Sequence, residues 1–180
     1  MRKHNLFVLF IAIVVATLFL GVYAATGEGK GEFARTTIDI GIVVSNVEKA
    51  AKFYKDALGF TEVPGFDVSK EMGRDSGLTD SKAFHVRVFV LGDEPTATKI
   101  KLMQFADAPG KKIDNQFIHS SLGFRYLTIS VSDTNAVVER AKKAGVVPSK
   151  EPYQLGGNNY LTLLKDPDGN IIELVGPKKN

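Results

Sequence analysis

Cysteine is absent from the 180 residues. That excludes disulfides, a thiol nucleophile and a lipid-attachable cysteine. A dominant charge is also missing. Beyond residue 24, 21 basic side chains stand against 20 acidic ones. A near-neutral domain offers no electrostatic basis for nucleic-acid binding. No glycine-rich phosphate loop of recognised form is present, because "GEGKGE" (27–32) has no helix after it. Neither a Ser-His-Asp order nor zinc-finger spacing can be supported. What remains is an ordinary globular composition, 44% hydrophobic and 24% charged, which argues against wholesale disorder.

The chain opens "MRKHNLFVLFIAIVVATLFLGVYAATGEGKGEF". A basic start precedes an apolar run over residues 6–23, and small residues follow. This is the pattern of a secretory signal peptide with a cut after Ala24, or of an uncleaved membrane anchor. Either places the folded part outside the cytoplasm, exported (periplasmic or extracellular) or membrane-anchored. "TGEGKGE" (26–32) is a flexible polar spacer. The expected organisation is signal or anchor 1–24, spacer 25–35 and one folded domain 36–177.

Within that domain a pattern occurs twice. "TTIDIGIVV" is a strand candidate, followed by Ser45 and Asn46 as caps and by Glu48 completing a Ser-x-x-Glu box. Val47, Ala50, Ala51, Tyr54 and Leu58 keep helical spacing up to Gly59. A short strand near 60–64 leads into a long polar loop, 65–82, a candidate lid. Strands are expected over 83–91 and 98–105. "FRYLTISVSD" (124–133) then repeats "TIDIGIVVSN" (37–46), and Asp133 caps a helix that ends at Gly145. Strands near 147–153, 159–165 and 171–176 complete the second copy, with a tight turn at "DPDGN" between the last two.

"VVSNVEKAAKFYKDALGF" and "LKDPDGNIIELV" resemble the signatures of the vicinal oxygen chelate superfamily, which includes glyoxalase I, extradiol dioxygenases and bleomycin-resistance proteins. The resemblance runs from about Thr36 to Pro177. It implies an α+β fold of two βαβββ modules, each a curled mixed sheet with helices on the outer face. Module one is 36–105, the connector 106–122 and module two 123–177. It also implies metal ligands on the first and last strand of each module in metal-dependent members, and barrels completed by pairing modules across chains, hence a homodimer. Those four positions fall on Asp39, Lys101, Tyr126 and Glu173. Only Glu173 is a typical ligand. Asp39 could bind a metal, Tyr126 is a poor ligand at neutral pH, and a protonated Lys101 has no lone pair.

Strand alternation supplies a second expectation. Ile40, Ile42 and Val44, then Phe84, Val86, Val88 and Val90, then Leu127, Ile129 and Val131, should face the helices. Asp39, His85, Arg87, Phe89, Tyr126, Thr128, Glu173, Tyr160, Thr162 and Leu164 should face the hollow, where Lys101 could join them. An exposed sheet face is polar for ordinary reasons, and a strand histidine such as His85 is more often hydrogen-bonded than a ligand. His119 in the connector should be solvated.

Two accounts of the site follow. Lys101 and Glu173 form an ion pair in a metal-free cavity, or a divalent metal binds Glu173, Asp39 and His85. Glu173, Tyr126 and Lys101 are the candidate catalytic groups. Asp39, His85, Arg87, Thr128 and Tyr160 are the candidate ligand-binding groups. No cofactor is expected, a divalent metal being possible. The partner is a small organic molecule, handled by a lyase, isomerase or dioxygenase of glyoxalase-like ancestry, or sequestered without chemistry.

Overall fold

The computed structural model describes residues 37–92 and 97–179. The signal or anchor expected over residues 1–24 and the spacer expected over 25–35 lie outside the described residues. Among the described residues no helix is long and apolar enough to cross a membrane.

Strand β1 (Ile40–Val43) leads into helix α1 (Val47–Lys52), which continues as a π-helical turn, Phe53–Ala57. Strand β2 (Thr61–Val68), helix α2 (Lys70–Asp75), β3 (Phe84–Val90) and β4 (Lys99–Met103) complete the first module. The second runs β5 (Tyr126–Ser130), α3 (Thr134–Lys143), β6 (Tyr153–Gly156), β7 (Asn159–Lys165) and β8 (Ile171–Pro177). The sheets have matching orders, β1-β4-β3-β2 and β5-β8-β7-β6. In each, first and last strands pair in parallel and the other pairs are antiparallel. The internal repeat thus appears as two mixed four-stranded sheets.

Three local expectations change. Asn46 alone caps α1, accepting from Lys49 N, while Ser45 N donates to the Asp168 carboxylate 3.0 Å away and Glu48 turns to Arg87. The loop after residue 64 is partly structured. Beyond a register shift between Val63 and Phe66, β2 continues to Val68, and Ser69 caps α2 through Met72 N. The strand expected near 147–153 instead covers 153–156, since Pro148 and Pro152 withhold backbone donors upstream.

One core joins the modules. Phe89, Ile100 and Leu102 of the first sheet and Leu164, Ile172 and Leu174 of the second share it with Ala50, Phe53, Tyr54, Ala57 and Ala141. The π turn explains how neighbours Phe53 and Tyr54 both become buried, since the segment packs toward two sheets. Tyr54 stands edge-on to Phe53 and Phe60, with centroids 5.3 and 5.8 Å away. Arg140 of α3 donates to the carbonyls of Ala57 (3.1 Å) and Leu58 (2.7 Å), closing the end of the first module's helix.

A close approach in the second module has a measurable consequence. A Cβ on Gly176 would collide with the Val131 carbonyl oxygen, and the Gly176 carbonyl already accepts from Thr134 Oγ1 at 2.9 Å. Gly176→Ala is expected to cost about 2–3 kcal/mol by overpacking, read as a lower urea midpoint.

Candidate functional site

Register decides which side chains share a face. In the first sheet Val88 lies opposite Lys101, and Val86 opposite Met103. Gly41 and Val43 of β1 lie opposite the same Lys101 and Met103. The face away from the shared core therefore carries Val43, Val86, Val88, Lys101 and Met103. A small apolar cluster of Val68, Val86 and Val88, with Val63, Phe84 and Met103 against it, covers part of this face. In the second sheet Thr128 lies opposite Glu173, Leu163 opposite Glu173 and Leu161 opposite Val175. That face carries Tyr126, Thr128 and Glu173, as expected, with Ser130 and Val175 beside them.

Two strands present the reverse of their expected faces. Phe89 of β3 is fully buried in the shared core, so His85 and Arg87 stand on the helix side and Val86 and Val88 on the hollow side. Arg87 donates to Glu62 (2.7 and 2.9 Å) and to Glu48 in the first turn of α1 (2.8 Å). Its hydrogen bond to Glu62 raises the guanidinium pKa further and lowers that of Glu62. His85 meets Asp67 at 2.7 Å on the same side, exposed. On β7, Thr162 and Leu164 are buried toward the core and Tyr160 shares their face, its ring under Lys178 Nζ at 4.1 Å. The causes differ: the valine face of β3 packs in a separate apolar cluster while Phe89 takes the shared core, and β7 is largely apolar on both faces, so alternation gives the period but not the direction.

The polar groups on the hollow faces pair differently from the expected Lys101–Glu173 contact. Lys101 Nζ lies 2.9 Å from Asp39 Oδ2 at the start of β1, with the Asp39 side chain only 13% exposed. The Thr128 hydroxyl donates to Glu173 Oε2 at 2.6 Å. Among the described residues no hydrogen bond or ion pair joins Lys101 to Glu173. Tyr126 is 50% exposed. The five groups thus form two half-sites: Asp39 with Lys101 on one sheet, and Tyr126, Thr128 and Glu173 on the other. His119 stacks on Phe117 in the connector, exposed.

Donor chemistry tests the metal expectation. Lys101 stands at a position where the resemblance places a ligand, and its ammonium lies against the carboxylate at another. Among the described residues no group of three or more His, Cys, Asp or Glu could hold a metal ion. His85, one of the three residues considered for a rebuilt site, is on the other face of its sheet. These residues do not fit a four-ligand metal centre.

Two cavities lie elsewhere. One of about 450 Å³ is lined by the ends of β1 and β4, connector residues 109–113 and Asn115, and the turn Pro167, Asp168 and Asn170. A second, of about 340 Å³, lies between Gly59, Gly92, Ser130 and Arg140. Neither includes Asp39, Lys101, Tyr126 or Glu173. The connector beside the larger cavity is held by cations that sequence reading passed over. Arg125 donates to the carbonyls of Asp114 and Ile118 and to Asn115 Oδ1, and Lys165 donates to Asn115 O. The turn is fixed by Asp166, whose carboxylate accepts from Asp168 N, Asn170 N and Asn170 Nδ2, with Tyr54 Oη 3.4 Å away.

Burial pushes the Asp166 carboxyl above its ordinary pKa, against the lowering effect of its N–H donors. Burial and then the Asp166 charge push Tyr54 upward. A raised folded-state pKa means the native chain takes up the proton more readily than the unfolded one. The Asp166 contribution is therefore full below the unfolded value of about 4 and is lost as pH rises through the folded value. The stability difference between the native sequence and Asp166→Asn should shift in favour of the native sequence between pH 7 and about pH 4, compared in urea titrations.

Two mixed four-stranded sheets of βαβββ order, with helices packed on the core side and Lys101, Thr128 and Glu173 on the opposite faces, define a glyoxalase-like protein. Residues 36–174 match the model of the Glyoxalase/Bleomycin resistance protein/Dioxygenase superfamily, and the chain belongs to that superfamily. A probable lactoylglutathione lyase of Vibrio cholerae serotype O1 is 26% identical over 137 residues, 76% of this chain and 86% of its own. Among solved structures, a glyoxalase family protein from Bacillus cereus matches with TM-score 0.68 at 23% identity, over 84% of this chain and 99% of its own. A glyoxalase I variant from Zea mays matches with TM-score 0.60 at 20% identity, over 79% of this chain and 45% of its own.

Proposed function

We propose that this is an exported glyoxalase-like protein that binds or transforms a small organic molecule between the hollow faces of two chains, without a four-ligand metal centre. The carrying observation is the split of the polar groups between the two sheets, Lys101 pairing with Asp39 and Glu173 with Thr128, with no hydrogen bond or ion pair between Lys101 and Glu173 among the described residues. Val43, Phe66, Tyr126 and Tyr153 are 44–69% exposed, on or beside those faces. Large apolar side chains on an open face are what a second copy would cover. In a homodimer, Asp39 and Lys101 of one chain would meet Tyr126, Thr128 and Glu173 of the other. Lys101 would hold an oxygen of the ligand, and Glu173 or Tyr126 would move a proton.

Export rests on the basic start, the apolar run and the small residues before residue 25. An anchor over residues 6–23 is the alternative. The name of the Vibrio relative favours a lyase acting on a thiol adduct of a ketoaldehyde over pure sequestration. A panel of hemithioacetals and catechols, with and without divalent metal, tests the reading. Turnover without added metal is the expected result. No turnover of any member, with one bound by the protein, would place it in the sequestering class. Turnover only with added metal would contradict the metal-free part.

A further inference from the structure

We propose that the Lys101 ammonium is the built-in cation of this site. It supplies the positive charge and N–H donors that hold a carbonyl or carboxylate oxygen of the ligand, and Asp39 holds it in place. This rests on the reading that the hollow faces form the ligand site, and it adds what recognises the ligand there. Three observations carry it. Asp39 is mostly buried on the hollow side, and its Oδ2 is 2.9 Å from Lys101 Nζ, so the carboxylate is matched by a charge from its own sheet. An ammonium has three donors, and Asp39 Oδ2 accounts for one. The lysine side chain is 32% exposed, so it reaches the open face rather than being sealed beneath it. Across the dimer the only other charge in the set is Glu173, which the Thr128 hydroxyl steadies. A divalent cation would meet an ammonium where it needs a lone pair, and the repulsion excludes it.

The consequence is testable by reversal. Lys101→Glu removes the ammonium and adds a carboxylate beside Asp39, which should convert the site into one that takes a metal. Metal content is measured after dialysis against zinc or nickel, and thermal midpoints with and without each ion, for the native chain, Lys101→Glu and Lys101→His. The native chain is expected to hold substoichiometric metal and show no shift in midpoint. Lys101→Glu should gain one ion per site and a saturable rise in midpoint, both lost when Glu173→Ala is added. Lys101→His adds a nitrogen ligand without adding charge and covers the case in which Lys101→Glu does not fold. One ion per native chain, lost in Asp39→Asn, would overturn the proposal. So would folded Lys101 variants that gain no metal. Neither result touches the small-molecule reading, which fails only if no ligand or substrate engages the hollow faces.

Discussion

Tyr54→Ala is expected to destabilise the chain by about 3–5 kcal/mol and to do so in both modules at once. Tyr54 is fully buried and packs in the one core that both sheets share. Removing its ring leaves a cavity lined by Phe53 and Phe60, which its rigid neighbours cannot fill. The loss is a large part of an ordinary domain's total stability. Far-ultraviolet circular dichroism in urea should show one transition, moved to lower denaturant with its slope unchanged. Tyr54→Phe keeps the ring and loses only the 3.4 Å contact with Asp166, so about 1 kcal/mol or less is expected. Two separate transitions in Tyr54→Ala would show that the modules fold independently, against a shared core.

Glu173→Gln should have the largest effect on function and little on the fold. The amide keeps an oxygen for the Thr128 hydroxyl, which now donates to Glu173 at 2.6 Å. Its partner strands are fixed by Leu174 and Ile172 in the core, not by the side chain between them. Stability should therefore change by less than about 1 kcal/mol. Turnover of any active member of the substrate panel should fall on the order of 10²-fold or more, the usual share of a positioned proton-transfer group. Turnover kept at the native rate in Glu173→Gln would remove this carboxylate from the chemistry.

Much of this architecture was legible in the sequence because the signals were local. Asp133 and Gly145 bracket α3, Gly169 takes its positive φ in the turn, and the matching strand-to-cap segments identified the repeat. Alternation puts Tyr126, Thr128 and Glu173 on their observed face because Leu127 and Ile129 of β5 and Ile172 and Leu174 of β8 pack against the core. β7 is largely apolar on both sides, and the asymmetry of β3 misleads, because its valine face packs in a separate cluster. Alternation alone puts Arg87 and His85 in the hollow, whereas Phe89 on their face takes the core. Pairing was not legible either. Lys101 selects Asp39 over Glu173 because β1 and β4 are hydrogen-bonded neighbours, while Glu173 belongs to the other sheet. Nor did residue types alone reveal that Arg125 and Lys165 would gather the connector's carbonyls, since each reaches across many residues of chain.

The absence of cysteine makes the central claim directly accessible, because introduced thiols are the sole thiols in the chain. Lys101→Cys and Glu173→Cys are placed together in one chain, which is treated with a short bis-maleimide and run on a denaturing gel. Half-sites completed across two copies predict a covalent dimer, absent from either single variant. Cross-linking that stays within one chain, leaving only monomer, would contradict the account.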